Sequence, residues 1–381
     1  MRLLLALTYY RPHISGLTIY AQRLSTALAR RGHQVTILTA QYHPSLPQRE
    51  VCDGVRVVRA PVVARISKGV LMPTFGWLAS ALAPHHDAMN LHLPQFDASG
   101  LALRGRLLRQ PVILTYQCDL RMPPGAFNRA ANLAITISNA IAARLATTMV
   151  VSSYDYAAHS RFLSHFAHKL RVIPVPIDIS PPTPDAVQAF RHRWHISGPI
   201  IGMAARFAAE KGVEVLLHAL PRMLHHYPDA RVLYVGPYQN IVGEAAYARR
   251  LQPLIHRYQR QWTFLGTLDD AEMAAFFANC HLLVVPSLNS TEAFGLVQGE
   301  AMLCGTPCVA SDLPGVRQPV QQTGMGLLFP PGDSQALAEA MLRVLHQRER
   351  YQRPHAAVAA HFSTERTADE YERLFEEARR R

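Results

Sequence analysis

The chain has 381 residues, 49% of them hydrophobic and 17% charged, with a formal net charge of +12. That length holds about two to three domains with sizeable cores, and the balance excludes a disordered chain. Five cysteines, odd in number and scattered, exclude a disulfide framework, and Cys304 and Cys308 lack the second Cys or His pair of a zinc site.

The opening MRLLLAL is too short for the apolar core of a signal peptide and reads as a first buried strand. No apolar run of about 18 residues exists, so no transmembrane helix is expected, and a reduced, cytoplasmic chain fits the cysteine usage. The charge is unevenly placed. Residues 1–178 hold 19 of the 39 Lys and Arg but 7 of the 27 Asp and Glu, while residues 179–381 balance. The first half therefore implies an anionic partner: a membrane surface, a charged acceptor or nucleic acid.

Arg2–Leu7 reads as strand one, followed by the loop TYYRPHISG and a segment from Gly16 to Arg31 with Leu17, Tyr20, Ala21, Leu24 and Leu28 at helical spacing. Gly32 ends it, and Val35–Thr39 is the next strand. Val55–Ala60 is another strand run. Arg65–Ala83, with Arg65 and Lys68 ahead of an apolar stretch broken by Pro73 and Gly76, fits either a membrane-interface or acceptor-lining segment or an apolar helix packed on a sheet. Ala88–Leu93 is a strand with His92 near its carboxyl end, and a helix follows from Gly100. Val112–Tyr116 is a strand ending in Gln117, Cys118 and Asp119. The basic stretch Arg121–Arg129 comes next, then helical runs at Arg129–Ala146 and Tyr154–Ala167 around the strand Thr148–Ser152. Pro181, Pro182 and Pro184 mark a linker, with a domain boundary near 176–190.

Alternation restarts at Pro199–Ala204. Arg206 and Lys211 lie five apart in RFAAEKG, at the turn and start of the helix Val213–His226. Two cations on one side plus helix amides suit a pyrophosphate. Strands Arg231–Val235, ending in Gly236, and Trp262–Leu265 flank a helix at Val242–Gln259, and Asp269 is a plausible cap for the next helix. Leu282–Val285 is a strand, Phe294–Leu303 a helix and Cys308–Ala310 a strand, so the loop between sits at the carboxyl edge of a parallel sheet. Glu292 lies in that loop and Glu300 eight residues later, about two helical turns on. Between them Phe294, Gly295, Leu296 and Val297 should offer unpaired helix-start amides to a phosphate. Carboxylates that accept from hydroxyls beside an anion seat fit a nucleotide sugar.

Glu292 and Glu300 with AFGLVQG between them, and GTPCVAS behind, resemble the Glu-x7-Glu motif of the retaining glycosyltransferases of family 4. Ala293 replaces the usual first Gly of that loop. The resemblance covers nearly the whole chain and is tightest over residues 200–330. It implies an α/β architecture of the GT-B type, two Rossmann-like domains facing each other across a deep cleft. Their spans are 1–178 on the acceptor side and 190–360 for the nucleotide sugar, with a C-terminal helix at 364–380 packing back on the first. It implies Arg206, Lys211 and Glu292 in the catalytic roles. Gly16, Gly236, Phe294 to Val297 and Glu300 become donor contacts, Glu300 toward ribose. His92, Gln117 and Asp119 fall to the acceptor or transferred sugar. The family often has His where Gln117 stands; Gln117 can hydrogen-bond a sugar but cannot shuttle a proton.

The implied reaction moves a sugar from a UDP- or GDP-sugar to a hydroxyl of an acceptor glycan or glycolipid, with retention. The nucleoside diphosphate sugar is a co-substrate, and no metal is expected, because no Asp-x-Asp clamp is evident. No nucleic acid partner is expected. The basic half would meet an anionic membrane at its inner face. Two alternatives stand beside this: a nucleotide-sugar epimerase of the same fold, and a catalytically silent nucleotide-sugar-binding protein.

Overall fold

A computed structural model describes residues 1–66, 69–120 and 125–380. The chain divides into two compact units, Met1–Pro176 with Ser363–Arg381, and Ile177–Phe362. The first unit's residues include 24 Lys and Arg against 12 Asp and Glu, the second's 15 against 15, so the whole excess of +12 sits on the first.

The strands of the first unit are β1 (Arg2–Ala6), β2 (Gln34–Gln41), β3 (Arg49–Cys52), β4 (Val55–Pro61), β5 (Ala64–Ile66), β6 (Gly69–Leu71), β7 (Ala88–Leu93), β8 (Val112–Tyr116), β9 (Thr148–Val151) and β10 (Leu170–Val172). Eight of them form one sheet in the order β10-β9-β8-β7-β1-β2-β4-β3, parallel except for the β3–β4 edge. Leu3, Leu4 and Leu5 have no exposed surface, as expected of a strand covered on both faces. Strand order reverses around β1, whose neighbours are β2 and β7.

Helices α1 (Gly16–Arg30), α2 (Phe75–Leu82), α3 (Ala98–Leu107), α4 (Ala126–Leu145), α5 (Tyr154–His159) and α6 (Arg161–Ser164) complete the run to the crossing point. At α1, Ser15 and Thr18 form a reciprocal capping box, and the apolar stripe Tyr20, Ala21, Leu24, Leu28 is buried. The segment from Arg65 to Ala83 is not one apolar element: β5 and β6 make a small hairpin, and α2 begins after Pro73. Lys68 and the stretch from Arg121 to Pro124 lie outside the described residues. The expected helix Tyr154–Ala167 is broken at Ser160. Its hydroxyl donates to Asp119 at 2.6 Å and accepts from Leu163 N–H at 3.4 Å, so it ends one helix and caps the next.

The second unit holds β11 (Ile200–Ala204), β12 (Arg231–Val235), β13 (Trp262–Gly266), β14 (Leu282–Val285), β15 (Cys308–Ser311) and β16 (Gly326–Phe329), all parallel in the order β13-β12-β11-β14-β15-β16. Its helices are α7 (Pro184–Arg193), α8 (Val213–His226), α9 (Ala245–Arg257), α10 (Asp270–Asn279), α11 (Leu296–Leu303), α12 (Gln318–Thr323), α13 (Ser334–His346) and α14 (His355–Ala359). The core is built by Val213, Leu216 and Leu220 of α8, Met341 and Val344 of α13, and Ile201, Val232 and Val284 of the sheet. Pro181 and Pro182 lie in residues 173–183, which form no helix or strand. The chain crosses between units after Pro176, and Pro184 opens α7 at its first turn, where a missing N–H costs nothing, with Thr183 capping Ala186 N–H at 3.3 Å.

The last helix, α15 (Thr364–Arg380), belongs to the first unit. Arg31 binds Glu365 at 2.6 Å, Asp369 at 2.5 Å and Glu372 at 2.7 Å along its outer face. On the inner face the Tyr371 hydroxyl meets Tyr20 at 2.9 Å and Thr115 at 2.7 Å, both buried.

Candidate active site

In the second unit the order reverses between β11 and β14, which are neighbours although two strands intervene in sequence. The loops leaving their carboxyl ends therefore diverge from one point, the position where open α/β sheets bind ligands. The two loops are fastened together. Leu288 N–H donates to the Glu210 carbonyl at 3.0 Å. Gly212, at φ +65°, lies so close to Pro286 that a Cβ there would fall 2.0 Å from its carbonyl oxygen. No other residue fits.

This junction brings Lys211 to Glu292: the ammonium donates to Glu292 Oε2, and the Ser287 hydroxyl reaches the same oxygen at 3.5 Å. Arg206, on the same loop as Lys211, is held at 2.7 Å by Glu210, with its side chain still 30% exposed. Both cations are thus oriented by carboxylates while each keeps a route to solvent. Gly236 closes the neighbouring edge. Its φ is +122°, its N–H donates to Gly266 at 2.8 Å, and a Cβ would meet the Ala205 carbonyl at 2.2 Å. Only glycine lets the end of β12 lie against the loop that carries Arg206.

Helix α11 starts two residues later than expected, at Leu296, because Gly295 adopts a left-handed cap at φ +77°. Gln298 N–H makes the first bond, to the Gly295 carbonyl at 2.9 Å, which leaves the Leu296 and Val297 amides ahead of it at the helix start. Ala293 and Phe294 are buried, and the fully buried Gln298 fixes the turn by donating to the carbonyls of Phe294 (3.1 Å) and Val316 (2.8 Å). Glu300 is 5% exposed on the following turn. Burial, helped by the charge of Glu300, pushes the Cys304 thiol up to about 12, so that cysteine stays protonated. Gln298 escaped the sequence reading, since its partner Val316 is distant in the chain. Glu210, four residues after Arg206, had a signal in that i,i+4 spacing.

In the first unit the expected contacts also gather at the carboxyl ends of strands. Gly16 opens α1, and its neighbours Tyr9 and His13 stack at 4.8 Å with Tyr42 edge-on, an aromatic cluster the sequence reading missed. Gln117 is half-buried; its N–H donates to Leu93 at 2.9 Å, and its amide nitrogen lies 3.3 Å from His92 Nδ1. His92 itself has no exposed surface, and burial pushes its imidazole down to about 3. It therefore backs Gln117 as a neutral ring and does not present itself to a ligand, because every residue of β7 is covered. Asp119 Oδ1 accepts from Tyr116 at 2.8 Å and Ser160 at 2.6 Å, and its N–H donates to Tyr156 at 2.6 Å, so it fastens the loop after β8. Among the described residues no group of three or more His, Cys, Asp or Glu is placed to hold a metal ion.

The family model "Glycosyl transferases group 1" matches residues 198–347, and "Glycosyl transferase 4-like domain" matches residues 15–176. The chain belongs to the group 1 glycosyltransferases. This glycosyltransferase is 27% identical to a phosphatidyl-myo-inositol mannosyltransferase of Mycobacterium leprae, over 95% of this chain and 92% of that one. Its fold is GT-B. The sucrose-phosphate synthase of Thermosynechococcus elongatus superposes with a TM-score of 0.81 at 24% identity, covering 99% of this chain and 98% of that one. Anabaena HepE in complex with UDP-glucose superposes with a TM-score of 0.78 at 19% identity, covering 99% and 100%.

Proposed function

We propose that this glycosyltransferase moves a sugar from a UDP- or GDP-sugar to a hydroxyl of a lipid-linked or cell-envelope glycan acceptor, with retention at the anomeric carbon. The observation that carries the donor reading is the junction of the β11 and β14 loops, where Arg206, Lys211, Glu292 and the start of α11 converge on one strand-order reversal. Arg206, Lys211 and the Leu296 and Val297 amides hold the diphosphate, Glu292 turns from Lys211 to a sugar hydroxyl, and Glu300 accepts from the ribose. As the glycosidic bond lengthens, negative charge grows on the leaving diphosphate, and the two cations bind that state more tightly than the ground state. The leaving phosphate oxygen takes the acceptor's proton, so no side-chain base is needed, in keeping with Gln117. The reaction proceeds without a metal.

The lipid part rests on the +12 charge of the first unit, together with the phospholipid named in the mannosyltransferase relative. No helix of the described residues is long and apolar enough to cross a membrane, so contact with the bilayer would be peripheral. A panel of UDP- and GDP-sugars with lipid and soluble acceptors tests the function. Acceptor-dependent nucleotide release, and a product whose anomeric proton coupling matches the donor's, are expected. Release without acceptor, with an epimerised sugar, would overturn the transfer reading.

A further inference from the structure

Outside the donor site lies a groove of about 480 Å³ in the first unit, formed where α3 packs between α2 and α4. Its floor is Phe75, Ala79 and Leu101, all buried, and its rim is Phe96, Ile137 and Ile141, which are 54%, 51% and 42% exposed. The polar groups in its wall are already engaged. Arg104 donates to the carbonyls of Gly76 (2.9 Å) and Gly100 (2.8 Å) and to Ser80 (2.9 Å), and Ser138 donates to the Phe96 carbonyl at 2.5 Å. The lining holds one carboxyl, Asp97, and burial pushes it up to about 6. Apart from that carboxyl, what remains facing inward is mostly hydrocarbon.

The surroundings continue the pattern. Leu133, Ile137 and Ile141 recur every fourth residue on α4, Leu103 and Leu107 stand out from α3, and Trp77 on α2 is 71% exposed. Among the described residues 14 large hydrophobic side chains are exposed; 13 are in the first unit and eight lie between Trp77 and Ile141. Scattered exposed apolar residues need no explanation, but a cluster around a groove marks a partner. Helices α2, α3 and α4 contain four arginines and no Asp or Glu, and Arg106, Arg129 and Arg144 among them are exposed. A protein partner would draw on directional hydrogen bonds, and these walls have spent theirs. Helices whose charges are all positive, beside a largely apolar groove, complement an anionic lipid surface.

We propose that the α2–α3–α4 face is the membrane-docking surface of this enzyme and that its groove takes an acyl chain of an anionic bilayer. The inference deepens the peripheral-membrane reading above and rests on it. The exposed arginines meet headgroup phosphates while Trp77 and the α4 stripe enter the acyl boundary.

The test uses the full chain with vesicles of equal parts phosphatidylglycerol and phosphatidylcholine, with and without bromine on the acyl chains. Trp77 emission should be quenched by the brominated chains, and Trp77→Phe should abolish that quenching, since Trp194 and Trp262 lie in the second unit. Replacing Ile137 and Ile141 together by Ser should weaken vesicle partitioning on the order of tenfold or more, at unchanged donor binding. Binding without Trp77 quenching, no binding at low salt, or a self-associated chain whose dimer is broken by the same double variant would each overturn the proposal. Nucleotide release with a soluble acceptor, measured in parallel, keeps the two readings apart: its absence sinks the transfer reading, and unquenched Trp77 sinks the groove alone.

Discussion

The ammonium expected to hold the donor diphosphate, that of Lys211, is held by Glu292. Donor binding must exchange one anion for another at Lys211, and the exchange has a measurable sign. Lys211 and Glu292 are 22% and 18% exposed, so their mutual attraction is screened and offsets desolvation by only ~1 kcal/mol net. Glu292→Gln removes the competitor. Free UDP or GDP, which carries no sugar for Glu292 to hold, should then bind roughly 5-fold more tightly, since about 1.4 kcal/mol is tenfold. Turnover of the nucleotide sugar should fall at least about tenfold in the same variant, because the sugar contact is lost. Lys211→Met should do the opposite to the nucleotide. A charge-assisted hydrogen bond of ~1.5–3 kcal/mol disappears, and the affinity for UDP or GDP drops about 10- to 150-fold. Titration calorimetry of both variants at low and high salt reads these changes directly. If Glu292→Gln weakens nucleotide binding, or Lys211→Met leaves it unaltered, Lys211 does not face the diphosphate and the site assignment fails.

Three further outcomes are expected. Gln117→His should keep more activity than Gln117→Ala, since the ring can still lie beside His92 and bond a sugar hydroxyl; equal losses in steady-state rates would remove Gln117 from the sugar. Gly212→Ala should abolish donor binding or fold stability, because its Cβ would overlap the Pro286 carbonyl at 2.0 Å; a wild-type melting curve and nucleotide affinity would show that the loops do not meet so closely. The chain should lose stability on acidification between pH 6.5 and about 3. His92 and His281 are held below the ordinary 6.5, at about 3 and about 4, both chiefly by burial. Their neutral forms support the fold fully above 6.5, and the unfolded chain takes up protons first as the pH falls, costing ~1.4 kcal/mol per unit per group. His92→Gln should move the acid-unfolding midpoint, followed by circular dichroism, to lower pH, and an unmoved midpoint would count against the buried neutral ring.

Elements with a continuous apolar run or an uninterrupted helical period were legible to the residue. Leu282–Val285 and Thr364–Arg380 are the strand and helix that their patterns describe. Where a single polar side chain decides the outcome, pattern fails. Ser160 looked like one more residue of a helix, yet its bond to Asp119, 41 positions away, breaks the helix. The prolines at 181–184 read as a linker because local chemistry forbids helix interior there, while the same Pro184 is well suited to a first turn. His92 could be seen as a polar group near a strand end, but its full burial depends on neighbours that only the assembled sheet supplies.

By itself the sequence determined the alternation of strands and helices, the division into a basic and a neutral half, and the spacing that sets Arg206 with Lys211 and Glu292 with Glu300. These follow from period, composition and offset along one chain, which need no partner to be read. Only the tertiary structure decided which of those charges touch, that Glu292 claims Lys211 and Glu210 claims Arg206. It also decided that apolar side chains scattered over three helices share one groove. Contacts of that kind join segments tens of residues apart, and their geometry is set by strand order, which no local pattern encodes.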